Sequence, residues 1–314
     1  AGGSLSGAAK APLNAAIAGR VNLTSGVNVA LARARLQDGE LVAQLQGTTR
    51  IVVGPSEISI APTRISVAGG SLSGAVKIDR ANDSATGSIA LERIALSAFA
   101  AEAPTVDTPN NTVLDGRIAF SGPATAATMD ATLRAAFDMG GSTRARVDVR
   151  AVAQNGRAQI TGSSAGLAGE PARLTADIPL RIDLAALRLV SDMEAPISGA
   201  LTWRGEIAPL WRLVPLDDHV LAGPVSVNLN AAGTLAAPQM RGEIRMTEGT
   251  YENVPQSMVL QHVDAVLTTD STSSFAFTLT AADRRGGTLT GRGRINRDET
   301  AQAWIADMSA TLNN

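Results

Sequence analysis

Imidazole chemistry, acid–base or metal-binding, would have to centre on one of the two histidines of this 314-residue chain, His219 and His262. His219 closes "LDDH", where Asp217 and Asp218 sketch a metal corner. No second histidine or acidic cluster stands near it in sequence, so the reading here is a solvated loop. His262 lies in "LQHVDAV", two residues before Asp264. Serines are plentiful, but a Ser–His–Asp hydrolase would need its nucleophile on a G-x-S-x-G elbow, and the chain has none. There is no cysteine, which excludes disulfides, thiolate metal sites and cysteine nucleophiles together. The remaining candidate is glycine-rich. "AGGSLSGA" stands at residues 1–8 and again at 68–75, and "RGGTLTGRGRI" echoes it at 285–295. A dinucleotide loop requires G-x-G-x-x-G between a strand and a helix, and a phosphate loop ends in Gly-Lys-Ser/Thr. Here the glycines run into β-forming residues. The motif therefore reads as a turn at Gly-Gly followed by a strand. Leu72 and Leu289 point inward and Gly74 and Gly291 follow on the same face, where glycine permits bending or close approach. No catalyst, metal or cofactor is expected, and the chain is not read as an enzyme.

Those residues sit in a chain dominated by period-2 alternation. In "TRARVDVRAV" (143–152), Arg144, Arg146, Asp148 and Arg150 share one face, and Ala145, Val147, Val149 and Ala151 the other. "LTADIPLRIDL" (174–184), "ISGALTWRGEI" (197–207) and "SSFAFTLTA" (273–281) repeat the pattern. Strands with one apolar and one wet face belong to an antiparallel sheet. Asp-Gly at 38–39 and 115–116, Asn-Gly at 155–156, Glu-Gly at 248–249 and Gly-Gly at 140–141 and 286–287 are read as hairpin turns. Helical pattern is short and scarce: 91–103, 184–193 and 207–219. "RIAFSGPATAATMDATLRAAF" resembles "VNLNAAGTLAAPQMRGEIRM", with Gly122 to Met129 spaced like Gly233 to Met240. Such self-similarity suggests stacked hairpins. Many one-sided strands without a helical layer leave an apolar face that must curl on itself, meet a second sheet or receive something else.

Composition narrows the partners. The net charge is −2, and aromatics make up 3% of residues. Nothing provides the clustered Lys and Arg that nucleic acid demands. No apolar run reaches the roughly 18 residues of a membrane span. An outer-membrane barrel would need aromatic girdles, and a secreted adhesin a more regular short period. The first residue is not Met, and "AWIADMSATLNN" reads as a strand cut short. The expectation is a single continuous segment, 1–314, excised from a longer chain.

Residues 197–300 carry a family resemblance. "GALTWRGEIAPLWRLVP", "GTLAAPQMRGEIRMTEGTYENV" and "GGTLTGRGRI" resemble the C-terminal half of the TamB family, the translocation and assembly module subunits of Gram-negative bacteria. The resemblance implies an all-β fold: a long antiparallel sheet curled into an open, taco-shaped hydrophobic trough with a few short helices. It also implies a periplasmic segment of a protein held in the inner membrane through an N-terminal anchor, reaching toward the outer membrane. The implied partners are phospholipids and the Omp85-type protein TamA. The implied work is passage of acyl chains in outer-membrane biogenesis or, alternatively, scaffolding of outer-membrane barrel assembly. Alternation assigns the groove to Val147, Val149, Ile178, Leu180 and Ile182 in the earlier strands. In the later ones it assigns Val225, Val227, Leu229, Ile244, Met246, Leu267, Phe275, Phe277, Leu279, Leu289 and Ile295. Leu210, Trp211 and Leu213 would form a plug across it.

Overall fold

The alternating segments pair into one sheet. A computed structural model describes residues 14–313 apart from 24–25, 40, 101–111, 140–143, 212–215, 217 and 299–302. The strands are β1 (Asn14–Asn22), β2 (Val27–Asp38), β3 (Leu41–Leu45), β4 (Thr49–Val53), β5 (Glu57–Val67), β6 (Gly70–Asp79) and β7 (Ser84–Ala95). After a helical turn, α1 (Ser97–Ala100), come β8 (Val113–Gly122), β9 (Thr128–Asp138), β10 (Arg144–Gln154), β11 (Arg157–Ala165) and β12 (Arg173–Pro179). A small hairpin, β13 (Arg181–Asp183) and β14 (Arg188–Val190), precedes β15 (Ser198–Glu206) and a second helical turn, α2 (Ala208–Trp211). The rest are β16 (His219–Ala222), β17 (Pro224–Gly233), β18 (Pro238–Asn253), β19 (Met258–Thr269), β20 (Ser274–Asp283), β21 (Thr288–Asp298) and β22 (Ala303–Asn313). Strands take 75% of the described residues and helices 3%, and no helical layer covers the sheet among them.

Apart from β13 and β14, every strand belongs to a single antiparallel sheet of 20. It is a meander in which neighbours in sequence are neighbours in space. The β2 strand meets β3 and β4 end to end, and the long β18 meets β17 along one half and β16 along the other. Hairpin tips form two rims. One rim carries the β6–β7, β8–β9, β10–β11 and β17–β18 turns; the other carries the β5–β6, β18–β19 and β20–β21 turns. Asn155 and Gly156 both have positive φ, 53° and 75°, as a tight two-residue turn requires. Gly122 and Gly233, the paired glycines of the longer repeat, both have positive φ and both enter turns on the first rim.

Register shifts bend the strands into a trough. They occur at Ala18/Gly19, Ile60/Thr63, Leu91/Ile94, Met246/Gly249 and Gln261/Asp264. A bulge of this kind bends a strand and increases its twist. Two of them share one device. Arg93 and Glu248 take left-handed φ of 54° and 51°. Each donates its backbone N–H to an aspartate on the next strand: Arg93 to Asp115 Oδ1 at 2.9 Å, and Glu248 to Asp264 Oδ1 at 3.0 Å. The carboxylate satisfies a donor that the interrupted ladder would leave unpaired. Asp115-Gly116 and Glu248-Gly249, read from sequence as hairpin turns, thus lie inside β8 and β18.

The chain exposes 19629 Å², whereas a compact monomer of this length exposes about 12,000 Å². The excess is what a single open layer produces. Most of the buried apolar residues gather in three clusters, two of them under a segment that folds over a rim. In the first, residues 180–196 leave β12 and strap the first rim. Leu180 N donates to Gly156 O at 2.8 Å, Ala127 N to Ile182 O at 3.0 Å and Leu184 N to Ala124 O at 2.8 Å. Arg80 Nε donates to Ala185 O at 2.9 Å. With Ala236 N donating to Met193 O at 2.9 Å, this one excursion staples four hairpin tips. Ile182, 6% exposed, packs with Ala127, Ala153 and Ala158, and Leu184 reaches a neighbouring cluster of Ile78, Ala85 and Ala124. Ile182→Val should cost about 1 kcal/mol, read as a lowered denaturation midpoint with an unchanged m-value.

The helical expectations shrink. Residues 91–95 belong to β7, and among the described residues of that stretch Ser97–Ala100 is helical; 101–103 lie outside them. Residues 184–193 form turns and β14, and among the described residues of 207–219 the helical part is α2.

Candidate functional site

The feature that could act on another molecule is the apolar face. Residues opposite one another in a ladder share a face, so the register traces rows across the sheet. One row starts at Leu45 in β3 and passes Ile65, Leu72, Leu91, Gly116 and Leu133. It continues through Val149, Gly162, Leu174, Leu201 and Leu229. It ends with Gly242, Thr269, Phe275, Ile295 and Ala306 on β22. No position in this row is charged. Thr269 is its one polar side chain and its one buried member, and its hydroxyl donates to Ser274 O at 2.8 Å. The fifteen interstrand steps extend about 72 Å at 4.8 Å each. Most of the row is half-buried, and Leu133 and Leu174 are exposed.

The sequence-predicted groove residues fall on this face. Val149, Leu229, Phe275 and Ile295 are in the row itself. Val227, Ile244, Leu267 and Phe277 form a second row, continued by Gly293 and Met308. Val225, Met246 and Leu279 form a third with Ala265, Gly291 and Ala310. Val147 stands opposite Ala135, and Leu289 opposite Ala281 and Leu312. Ile178 pairs with Ala158 at the margin. Leu180 and Ile182 differ: they keep the alternation but have left the main sheet for the strap, where Ile182 is buried as packing.

The second rim carries the other overlay. Ile207 N donates to Gly223 O at 3.0 Å, and Trp211 N to Ile207 O at 2.9 Å, closing α2. Leu210 then packs on a cluster of Trp203, Val225, Met246, Leu260, Val263 and Ala281. Trp211 is tied back by its indole N–H to His219 O at 2.8 Å. Leu213 lies outside the described residues. Within the cluster, the indole N–H of Trp203 is buried without a partner among the described residues, a cost of about 1–3 kcal/mol.

The opposite face is wet and salt-bridged. Asp148 accepts from Arg134 Nε at 2.6 Å and Arg146 Nε at 2.7 Å. The Arg134 hydrogen bond leads in holding its carboxyl below the usual range. Arg150 grips Asp130 at 2.6 Å, and Arg144 stands 3.8 Å from Asp138. Surface pairs of this kind contribute little to stability; their effect is to fix which face stays in water.

Each histidine has one side-chain hydrogen-bond partner among the described residues; Asp217, of the corner read next to His219, lies outside them. His219 Nδ1 lies 2.6 Å from the Tyr251 hydroxyl, and the two rings stack at 5.8 Å. His262 sits at a bulge with φ 50° and pairs with Glu248 at 2.6 Å on the exposed face. That carboxylate, through its hydrogen bond first, raises the imidazole pKa. Asp264 is engaged by the Glu248 N–H rather than by the imidazole. Among the described residues, no group of three or more His, Asp or Glu could hold a metal ion.

No family model, curated protein or solved structure matches this chain.

Proposed function

We propose that this chain is a TamB-like periplasmic segment that conducts phospholipid acyl chains between the inner and outer membranes. The observation that carries the reading is the uncharged row from Leu45 to Ala306, continuous across sixteen strands and largely uncovered. An acyl chain in water costs roughly 0.8 kcal/mol per CH₂. A sixteen-carbon tail crossing the periplasm unshielded would therefore face on the order of 10 kcal/mol. A trough of Leu, Ile, Val and Phe removes most of that barrier without chemistry. The tail in turn supplies the layer that the sheet lacks. An inner-membrane anchor outside this segment and an Omp85-type partner such as TamA at the outer membrane complete the proposal.

One observation favours a second reading, as a scaffold for nascent outer-membrane strands. Among the described residues β1 pairs only with β2, and β22 only with β21. An unpaired edge is a template for strand addition. A photo-reactive residue at Leu267 separates the two. Lipid adducts are expected, and adducts to protein alone would replace the lipid reading with the scaffold.

A further inference from the structure

The polar face, otherwise laced with ion pairs, holds an open cavity of about 920 Å³ over β5–β9. Its origin is a floor of short side chains. Ala75, Ser88 and Ala119 stand opposite one another across β6, β7 and β8, with Ala61 extending the floor toward β4. Long side chains rise around them: Arg50 on β4, Lys77 on β6 and Arg117 on β8. These three differ from the arginines of the neighbouring ladders. Arg64, Arg134, Arg146, Arg150 and Arg157 each hold a carboxylate. The side chains of Arg50, Lys77 and Arg117 make no ion pair or hydrogen bond with the other described residues. The carboxylates at the cavity are Asp130, neutralised by Arg150 at 2.6 Å, and Glu57 on the rim.

We propose that this cavity is a binding site for a phosphoester anion carried on a hydroxylated compound. Three cations with no ion pair among the described residues line this one cavity, and they outnumber its one open carboxylate, Glu57, since Asp130 is held by Arg150. Each of the two guanidiniums is a planar fork that matches the paired oxygens of a phosphate. The floor and walls add the hydroxyls of Ser59, Thr86 and Ser88, which donate or accept. Glu57, whose carboxylate has no donor among the described residues, suits the hydroxyls of a polyol. The volume lies within the range of small-molecule sites. A nucleic-acid strand fits less well: the aromatic residue at the cavity, Phe120, packs its side chain with Ile78, Ala85 and Ala124 and offers no stacking platform. The phosphoester could belong to a soluble molecule or to a lipid headgroup, on the face opposite the acyl trough, so the inference stands independently of lipid passage.

Calorimetric titration with glycerol 3-phosphate, and co-sedimentation with phosphatidylglycerol or phosphatidylcholine vesicles, test it. Saturable binding of glycerol 3-phosphate is expected, weakening as salt rises. The double variant Lys77→Gln/Arg117→Gln should bind at least about tenfold more weakly. Arg245→Gln removes a cation from the same face outside the cavity, next to Glu243, and should bind like wild type. Phosphatidylglycerol binding alone, with the same sensitivity to the double variant, assigns the phosphoester to a headgroup and supports the site. Binding to neither probe overturns it, as does equal loss in the double variant and in Arg245→Gln. All three positions are exposed, so circular dichroism should report an unchanged fold.

Discussion

Phe277→Asp is expected to yield a folded protein that has lost its lipid. Phe277 faces the trough in β20, between Leu267 on β19 and Gly293 on β21. It is half-buried, so a carboxylate there keeps contact with water in the empty trough and the ladder around it persists. An acyl chain laid over the same position would strip that water. Burying a charge without a partner costs several kcal/mol. A loss of only 1.4 kcal/mol already corresponds to a factor of ten in occupancy. Phospholipid co-purifying with the protein, quantified by mass spectrometry, should therefore fall at least about tenfold.

Thr278→Asp is the matched control. Thr278 is the next residue, exposed on the wet face and opposite Arg292. It adds the same charge one position away without touching the trough, so retained lipid should be unchanged. Equal retention by Phe277→Asp and wild type would sink the conduit, whatever the stability of the variant. Equal loss from both variants would instead point to net charge rather than to the apolar face.

The sheet was legible because alternation is a local property, set residue by residue by which face meets water. The rows through Val227 and Val225 follow from parity once strands are paired in order. What alternation does not encode is where a ladder ends. "LTADIPLRIDL" alternates without a break, yet pairing stops at Pro179, which has no N–H to donate. Ile182 then keeps its parity while packing as a strap on Ala153 and Ala158. The bulges were illegible for a related reason. Arg93, Glu248 and His262 adopt a backbone conformation ordinarily left to glycine, held there by cross-strand context. Asp115 and Asp264 acquire their roles only when the neighbouring strand is in place. The polar-face cavity depends on Ala75, Ser88 and Ala119 lying abreast in three strands, and no single strand records that.

The two described copies of Gly-Gly-x-Leu-x-Gly should respond in opposite ways to losing their last glycine; the copy at 1–8 lies outside the described residues. Both begin as expected: Ala68 and Gly69 turn with positive φ before Gly70 opens β6, and Gly286 turns before β21. Both place a leucine and then a glycine on the apolar face. The resemblance ends at the neighbours. Gly74 sits opposite the bulge in β5 and faces Ile89 on β7. A Cβ there would stand 2.4 Å from the Ser88 carbonyl oxygen, a backbone atom that cannot swing aside. At Gly291 the nearest atom to a Cβ would be Leu279 Cβ at 3.6 Å, an ordinary contact. Gly74→Val should therefore destabilise by about 3 kcal/mol, the upper end of overpacking. Gly291→Ala should gain about 0.5–1 kcal/mol by restricting the unfolded chain. Urea titration of both variants reads the difference directly. A neutral Gly74→Val would show that β6 and β7 are not held at this approach. A destabilised Gly291→Ala would show that the later strands are. With both signs as expected, the motif has two uses: close strand approach beside a bulge in the first half, and spare width in the trough wall in the second.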